Sequence, residues 1–207
     1  MSNISIIGTG NMARAIGALA VAGGNVVEII GRDRHKATEL AKTLGDNVTV
    51  GEFGAVPAGD IVIVALLYAG VVPVVEQYGD ALADRVIVDI SNPFSPEADG
   101  LVLPHDSSVA QEVAKVAPAG ASVVKAFNTI FGVVLEQGRP LDVFIAGDDE
   151  RAKVGVAQFV ESLGLRPLDV GGLKMAHWLE GAGLIVMGLA RHGVGGFDFA
   201  LGATVFG

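Results

Sequence analysis

Ile4-Ser5-Ile6-Ile7-Gly8-Thr9-Gly10-Asn11-Met12-Ala13, followed by an alanine-rich stretch, a second apolar run ending at Ile30, and then Gly31-Arg32, decides the fold of this chain. An apolar strand runs into a glycine turn, and the turn opens a helix. Gly8 allows the tight exit from the strand, Gly10 keeps a Cβ out of the path of a pyrophosphate, and Ala13 is small enough to seat the helix on a sheet. The helix then offers unpaired N–H groups and the positive end of its dipole to phosphates. A GxGxxA string alone is a weak signal. Placed after a strand and before a helix, it predicts a dinucleotide-binding βαβ unit, with Gly8, Thr9, Gly10, Asn11, Met12 and Ala13 at the phosphates.

The end of the second strand carries the choice of dinucleotide. A carboxylate about 20 residues beyond the turn binds the two ribose hydroxyls of NAD. Here that place falls near Ile30 and Gly31, and Arg32, Arg34 and Lys36 follow. A guanidinium clamps a 2′-phosphate that a carboxylate would repel. The expectation is NADP(H), with Gly31, Arg32 and Lys36 at the 2′-phosphate and Arg32 as the main anchor. The competing reading makes these cations the solvated start of a helix. Asp33, beside the clamp, is expected to cap the helix that runs to Leu44.

Composition narrows the class. The chain has 207 residues, enough for one sizeable core or for one domain with a small appendage. Hydrophobic residues make up 51% and mean hydropathy is +0.53, so a membrane protein has to be considered. Ile61 to Val75 is broken by Tyr68, Gly70 and Pro73, and the run after Glu180 ends at Arg191. Both fall short of the roughly 20 apolar residues of a spanning helix and fit buried strands and core helices instead. Met1-Ser2-Asn3 leads straight into the first strand, so no signal peptide is expected. The absence of cysteine excludes disulfides, thiolate metal sites and a cysteine nucleophile, and it allows a reducing cytoplasm, the expected location. A net charge of −9 argues against a nucleic-acid partner.

Strand and helix signals alternate through the rest of the chain. Val48 to Val50, Ile61 to Ala65, Val86 to Asp89, Ser122 to Ala126, Asp142 to Ala146 and Arg166 to Val170 read as strands. Arg34 to Leu44, Val71 to Tyr78, Val109 to Val116, Asp149 to Leu163 and Leu173 to His192 read as helices. Ser108 with Gln111 has capping-box spacing, Asp148 is placed to cap the helix beginning near Glu150, and Gly164 to end it. The pattern predicts an α/β fold, a doubly wound, mostly parallel Rossmann-type sheet with a small C-terminal helical extension. Residues 1–170 form the expected dinucleotide-binding domain, and residues 171–207 a helix and tail packed on it. The irregular stretch Ser91 to Asp106 follows a strand end, where it can close over a site.

Gly8-Thr9-Gly10-Asn11-Met12, Gly31-Arg32 with Lys36, Ser91-Asn92-Pro93, Val124-Lys125-Ala126-Phe127-Asn128-Thr129 and Ile145-Ala146-Gly147-Asp148 occur in the same order in the NADPH:coenzyme F420 oxidoreductases. The series is also similar to the cytosolic reductase domain of the six-transmembrane metalloreductases. The resemblance covers nearly the whole chain, and Lys125 to Thr129 is its most specific part. It implies hydride exchange between NADP(H) and a deazaflavin (coenzyme F420) or a flavin such as FMN, bound near the C-terminal segment.

Hydride transfer needs two rings face to face in a dry pocket, while the cofactor supplies the difficult electronics. Ala65-Leu66-Leu67 at a strand end, above all Ala65 and Leu66, are placed to form the apolar wall at the nicotinamide, and Asn92-Pro93 the opposite edge. Ordinary strand-end packing is the alternative for all five. Phe127 is placed to pack below the ring. Asn128 either bonds an amide or ring carbonyl or caps a helix running to Glu136. A proton-donating side chain is optional, since backbone N–H groups can stabilise charge left on the acceptor. His35 falls in the basic turn and His105 in the long loop; His177 shares a polar helix face with Lys174 and Glu180, and His192 ends that helix. None has metal-ligand spacing, and no metal is expected.

Leu173, Ala176, Leu179, Gly183, Val186 and Ala190 make one apolar stripe, widened by Gly181, Met187 and Gly188. A helix so apolar, followed by Phe197, Phe199, Leu201, Val205 and Phe206, must be covered on two sides, which points to a homodimer with the acceptor near the subunit boundary. Two rival functions remain at this stage: an NADPH-dependent reductase of a small imine or carbonyl compound, and a non-catalytic NADP(H) sensor. Many imine reductases of similar N-terminal architecture continue into a large helical domain, whereas this chain continues with strands to Val170.

Overall fold

In the computed structural model, which describes residues 1–206, the opening stretch folds as strand β1 (Asn3–Ile7), helix α1 (Asn11–Ala22) and strand β2 (Val26–Ile30). Gly207, the last residue of the expected C-terminal extension, lies outside the described residues. Helix α2 (Arg34–Leu44) and the short β3 (Thr49–Val50) follow, then β4 (Ile61–Val64), α3 (Tyr68–Tyr78), β5 (Val86–Asp89), α4 (Val109–Val116) and β6 (Ser122–Lys125). The one-turn α5 (Gly132–Leu135), β7 (Asp142–Gly147), α6 (Glu150–Ser162), β8 (Arg166–Asp169) and α7 (Ala176–Arg191) complete the order.

All eight strands join one sheet in the order β3-β2-β1-β4-β5-β6-β7-β8. The chain winds outward from β1 through β2 to β3, then returns to β4 on the other flank of β1. Helical connections on opposite sides of the sheet diverge at that switch point and leave a crevice at the strands' carboxyl ends. Strands β1 to β6 pair in parallel, and β6 pairs antiparallel with β7. A parallel crossover needs a helix that returns the chain along the sheet. Between β6 and β7 only α5 forms, and it packs beside α1, so the chain re-enters from the end it left.

Alternation along each buried strand divides the core in two. Ile6, Ile63, Val88 and Val124 face α1, α2 and α6, whereas Ile7, Val62, Ile87 and Val123 face α3, α4 and the start of the C-terminal helical segment. Apolar residues on both faces are what a covered parallel sheet requires.

Local signals explain most boundaries. The Asp33 carboxylate accepts from the N–H groups of His35 at 3.0 Å and Lys36 at 3.3 Å, so it caps α2 as expected. Ser108 caps α4 by accepting from Gln111 N at 3.2 Å. Gly164, at φ +75°, ends α6 in the left-handed conformation. The cap of α6 is Asp149 rather than the expected Asp148: β7 extends through Gly147, and Asp149 accepts from Ala152 N at 2.8 Å. Asp148 instead accepts from Leu173 N at 2.7 Å and anchors the C-terminal segment. Helix α3 starts three residues before the expected Val71. The segment expected as one helix from Leu173 begins with a 3₁₀ turn, Leu173–Met175.

Candidate active site

Three adjoining cavities run along the carboxyl ends of the central strands and form one groove. The first, about 200 Å³, is lined by Gly8, Thr9, Gly31, Arg32, Lys36 and Phe53, among others. Leu66 joins it to a second of about 400 Å³, between Gly10, Asn11 and Met12 on one side and Ala65, Tyr68 and Ser91 on the other. Met12, Ile90, Asn92 and Phe94 continue into a third of about 230 Å³, closed by Phe127 and Asn128 and by Gly183, Val186 and Met187 of α7.

The turn is shaped by two glycines acting differently. Gly8 sits at φ +136°, and a Cβ there would lie 2.3 Å from the Ala65 carbonyl oxygen. The close approach of β1 and β4 therefore excludes any side chain. Gly10 faces open space, with nothing within 4 Å of where its Cβ would be. It also precedes α1 with no side-chain cap, leaving the first amide groups of the helix available to a ligand. Ala13 is wholly buried among the core residues under α1.

At the far end, Arg32 and Lys36 are exposed, and among the described residues neither side chain makes an ion pair. The Asp33 carboxylate is bonded to the start of α2. A Cβ on Gly31 would stand 2.9 Å from Thr9 Cγ2, so the glycine lets Thr9 close that end. Phe53, which the sequence did not flag, lines the same cavity and packs edge-on against Tyr78 at 5.4 Å.

The ring-sized cavity differs in part from expectation. Ala65, Leu66 and Asn92 line the groove as predicted. Pro93 does not: it is buried behind the wall with its carbonyl bonded to Val102 N at 2.8 Å, and Phe94 lines the cavity instead. Ile90, Asn92 and Phe94 alternate toward the third cavity, which turns Pro93 between them away from it. Phe127 lines the cavity from a left-handed backbone, φ +59°, a strained conformation for an aromatic residue. That kink turns Asn128 inward. Asn128 caps no helix; its amide nitrogen donates to Asn92 Oδ1 and to the Leu179 carbonyl, each at 2.8 Å. Asn92 Nδ2 donates in return to the Asn128 carbonyl at 2.7 Å. Asn128 Oδ1 is buried with no partner among the described residues, an acceptor still to be satisfied.

Behind this wall lies a cluster that the sequence reading missed. Lys125 ends β6 beside Asp89, its register partner at the end of β5. Its ammonium donates to Asp89 Oδ2 at 2.7 Å, to Glu180 Oε1 at 2.8 Å and to the Ser91 carbonyl at 2.5 Å. All three charged side chains are completely buried. Burial pushes the Glu180 carboxyl up, against the pull of Lys125. Glu180 is therefore no part of a polar helix face with His177, whose Nδ1 lies 2.9 Å from the Ser107 carbonyl. The available signal was an Asp and a Lys closing consecutive apolar strands. Their partner on a distant helix leaves no local trace. No histidine among the described residues lines the groove. Among the described residues, no group of three or more His, Asp or Glu side chains is arranged to hold a metal ion. No helix among the described residues is long and apolar enough to cross a membrane.

Residues 3–93 match the family described as NADP oxidoreductase coenzyme F420-dependent. Metalloreductase STEAP3 of Rattus norvegicus is 33% identical over 184 residues, 86% of this chain and 35% of that protein, so the chain spans about a third of the relative's length. A hypothetical protein of Sinorhizobium meliloti, SMa0349, shares 29% identity at a TM-score of 0.74, over 84% of this chain and 86% of its own. A protein of Arthrobacter sp. FB24, whose name suggests an F420-dependent NADP-reductase, superposes with a TM-score of 0.80 over 93% of this chain and 95% of its own. At 23% identity that last likeness is one of fold alone. The matched residues, 3–93, are those that supply the glycine turn, the exposed cations and the first wall of the groove.

Proposed function

We propose that the chain is an NADP(H)-dependent oxidoreductase that passes a hydride between NADPH and a deazaflavin or flavin. NADPH supplies the hydride when bound; the chain's residues bind, orient and desolvate. Gly8 to Ala13 and the start of α1 take the pyrophosphate, and Gly31, Arg32 and Lys36 take the 2′-phosphate. Ala65, Leu66 and Asn92 flank the nicotinamide. Phe127 and Asn128 bound the acceptor side.

One observation carries the choice of acceptor: among the described residues, no ionisable side chain lines the cavity between Asn92, Asn128 and α7. Hydride reduction of a carbonyl leaves an alkoxide that must be protonated, and an imine must be protonated to its iminium to accept hydride, so either needs a proton donor in place. An extended ring system spreads the charge it receives and tolerates a dry, apolar slot. Tyr68 is the single phenol along the groove, and it stands in the middle cavity. The imine or carbonyl reading depends on that phenol. The sensor reading requires an absence of any turnover.

Stopped-flow mixing of NADPH-loaded protein with coenzyme F420, FMN and a cyclic imine separates the three. Oxidation at 340 nm by F420 or FMN is expected. Oxidation by the imine alone overturns the choice of acceptor, and none with any acceptor leaves the sensor. We further propose that residues 171–206 extend the dinucleotide domain and contribute to a homodimer. Trp178 and Ile185 stand 66% and 61% exposed on the outer side of α7, too apolar a pair to be left in water by choice. Monomer mass in light scattering at micromolar concentration refutes the dimer.

A further inference from the structure

The Lys125–Asp89–Glu180 cluster takes no part in the steps above, yet it is tied to two walls of the groove, the Ser91–Asn92 segment and α7. Lys125 holds the Ser91 carbonyl, one residue before Asn92, and Asp89 Oδ1 accepts from the Ser91 N–H at 2.9 Å and Oγ–H at 2.7 Å. Glu180 holds α7 to Lys125 and, through Val109 N at 2.9 Å, to the start of α4. The residue before Glu180, Leu179, accepts from Asn128. One turn further, Gly183 lies so close that a Cβ would stand 2.8 Å from Asn92 Oδ1. A single turn of α7 is thus pinned to both strand ends that shape the ring cavity.

Stability alone does not call for this arrangement. A wholly buried ionic cluster is seldom better than apolar side chains of the same volume, because desolvation offsets the attraction. Directional bonds do supply what apolar packing lacks, a fixed separation and register between elements. The ammonium's three donors reach the end of β5 twice, at Asp89 and Ser91, and α7 once, at Glu180, and no donor is left over.

We propose that Lys125 and Glu180 are positioning residues for the ring-binding end of the groove, holding the Ser91–Asn92 segment and α7 at the separation that seats a nicotinamide against its acceptor. The proposal rests on the groove being an NADPH site. It assigns the pair no role at the 2′-phosphate end, where the adenosine half is held.

The test compares NADPH with 2′,5′-ADP, which reaches only the Arg32 end, by titration of the full chain. Glu180→Leu cuts the tie to α7 and leaves Lys125 and Asp89 to neutralise each other. It is expected to bind 2′,5′-ADP within about twofold of the parent and NADPH about tenfold more weakly. Glu180→Gln keeps an acceptor for Lys125 and Val109 and is expected to restore NADPH binding to within about threefold. Lys125→Met combined with Glu180→Leu, which leaves only Asp89 to take up a proton, should match Glu180→Leu.

A folded Leu or double variant with the parental ratio of the two affinities overturns the proposal. So does equal loss of both ligands, or collapse of both variants, since the cluster is then a stability element. So does a Gln variant as impaired as the Leu variant. A parent chain that does not prefer NADPH to 2′,5′-ADP sinks the reading of the groove instead.

Discussion

Arg32→Ala tests the proposed cofactor preference at its source. Arg32 stands exposed in the cavity it shares with Thr9, Asp33 and Lys36; among the described residues its side chain makes no ion pair, and the Asp33 carboxylate is bonded to the start of α2. A hydrogen bond to a charged group contributes about 1.5–3 kcal/mol. Exposure brings solvent screening, which places Arg32 at the lower end of that range. Lys36 remains in the cavity as a second cation. The expected loss for NADPH is therefore about 1.5–2 kcal/mol, or roughly 10- to 30-fold in Kd. NADH lacks the 2′-phosphate and should weaken less than about threefold. Nicotinamide fluorescence titrations with both cofactors at fixed ionic strength give the ratio. Because the Debye length is about 8 Å at 0.15 M salt, the ratio should widen as salt is lowered. Equal weakening of NADPH and NADH would falsify the 2′-phosphate assignment, and no change in either would show that the dinucleotide lies elsewhere.

Gly8→Ala places a methyl group on the Ala65 carbonyl in a backbone conformation that side chains rarely adopt. A cost of about 2–4 kcal/mol is expected, visible as a lower denaturant midpoint together with lost NADPH binding; parental behaviour in both assays would remove the packing argument. Gly183→Ala should gain about 1 kcal/mol in helix propensity, but pushing Asn92 off Asn128 breaks two hydrogen bonds of about 0.5–1.5 kcal/mol each, so Tm should hold or fall slightly while NADPH oxidation slows. A variant as fast as the parent would show that the Asn92–Asn128 pair does not set the ring site. The Arg166 guanidinium beside Asp142, with the Ala203 N–H also bonded to it, holds that carboxyl below its ordinary range. A depressed carboxyl contributes stability above its unfolded pKa and loses it as pH falls through the folded value. The tether of the tail should hold at neutral pH and loosen only below about pH 4. Limited digestion of the tail by an acid-active protease should accelerate there, and Asp142→Asn should make the tail labile already at pH 7. Unchanged digestion of that variant argues that the Phe197 and Phe199 contacts with Phe131 hold the tail instead.

How much was legible in the sequence depended on how local the cause was. The strand ends Val86–Asp89, helix Arg34–Leu44 and helix Val109–Val116 match their expected bounds because β-branched runs, Asp33 and Ser108 act within a few residues of where they stand. The caps that slipped, Asp148 for Asp149, did so by one residue, set by how far β7 continues through its pairing with β6. The 3₁₀ turn before α7 went unseen because Leu173 is fixed by Asp148 and Met175 by the turn, neither of them a helix-period signal.

At the site the same division holds. That Gly8, Gly10, Gly31, Arg32 and Lys36 line one groove was legible in the sequence, because a glycine turn between strand and helix and a cation after the second strand are placed by backbone sterics and by the strand order. Pro93 facing away, Phe127 in a left-handed kink, Asn128 bonded to Asn92 and α7, and Lys125 buried between Asp89 and Glu180 were decided only by the tertiary structure. These depend on which distant residue arrives opposite each side chain. Residues 55 positions apart, as Lys125 and Glu180 are, leave no mark on each other's neighbours in the chain. Their pairing exists because β6 ends where α7 crosses, and a buried ammonium must find every one of its partners within reach.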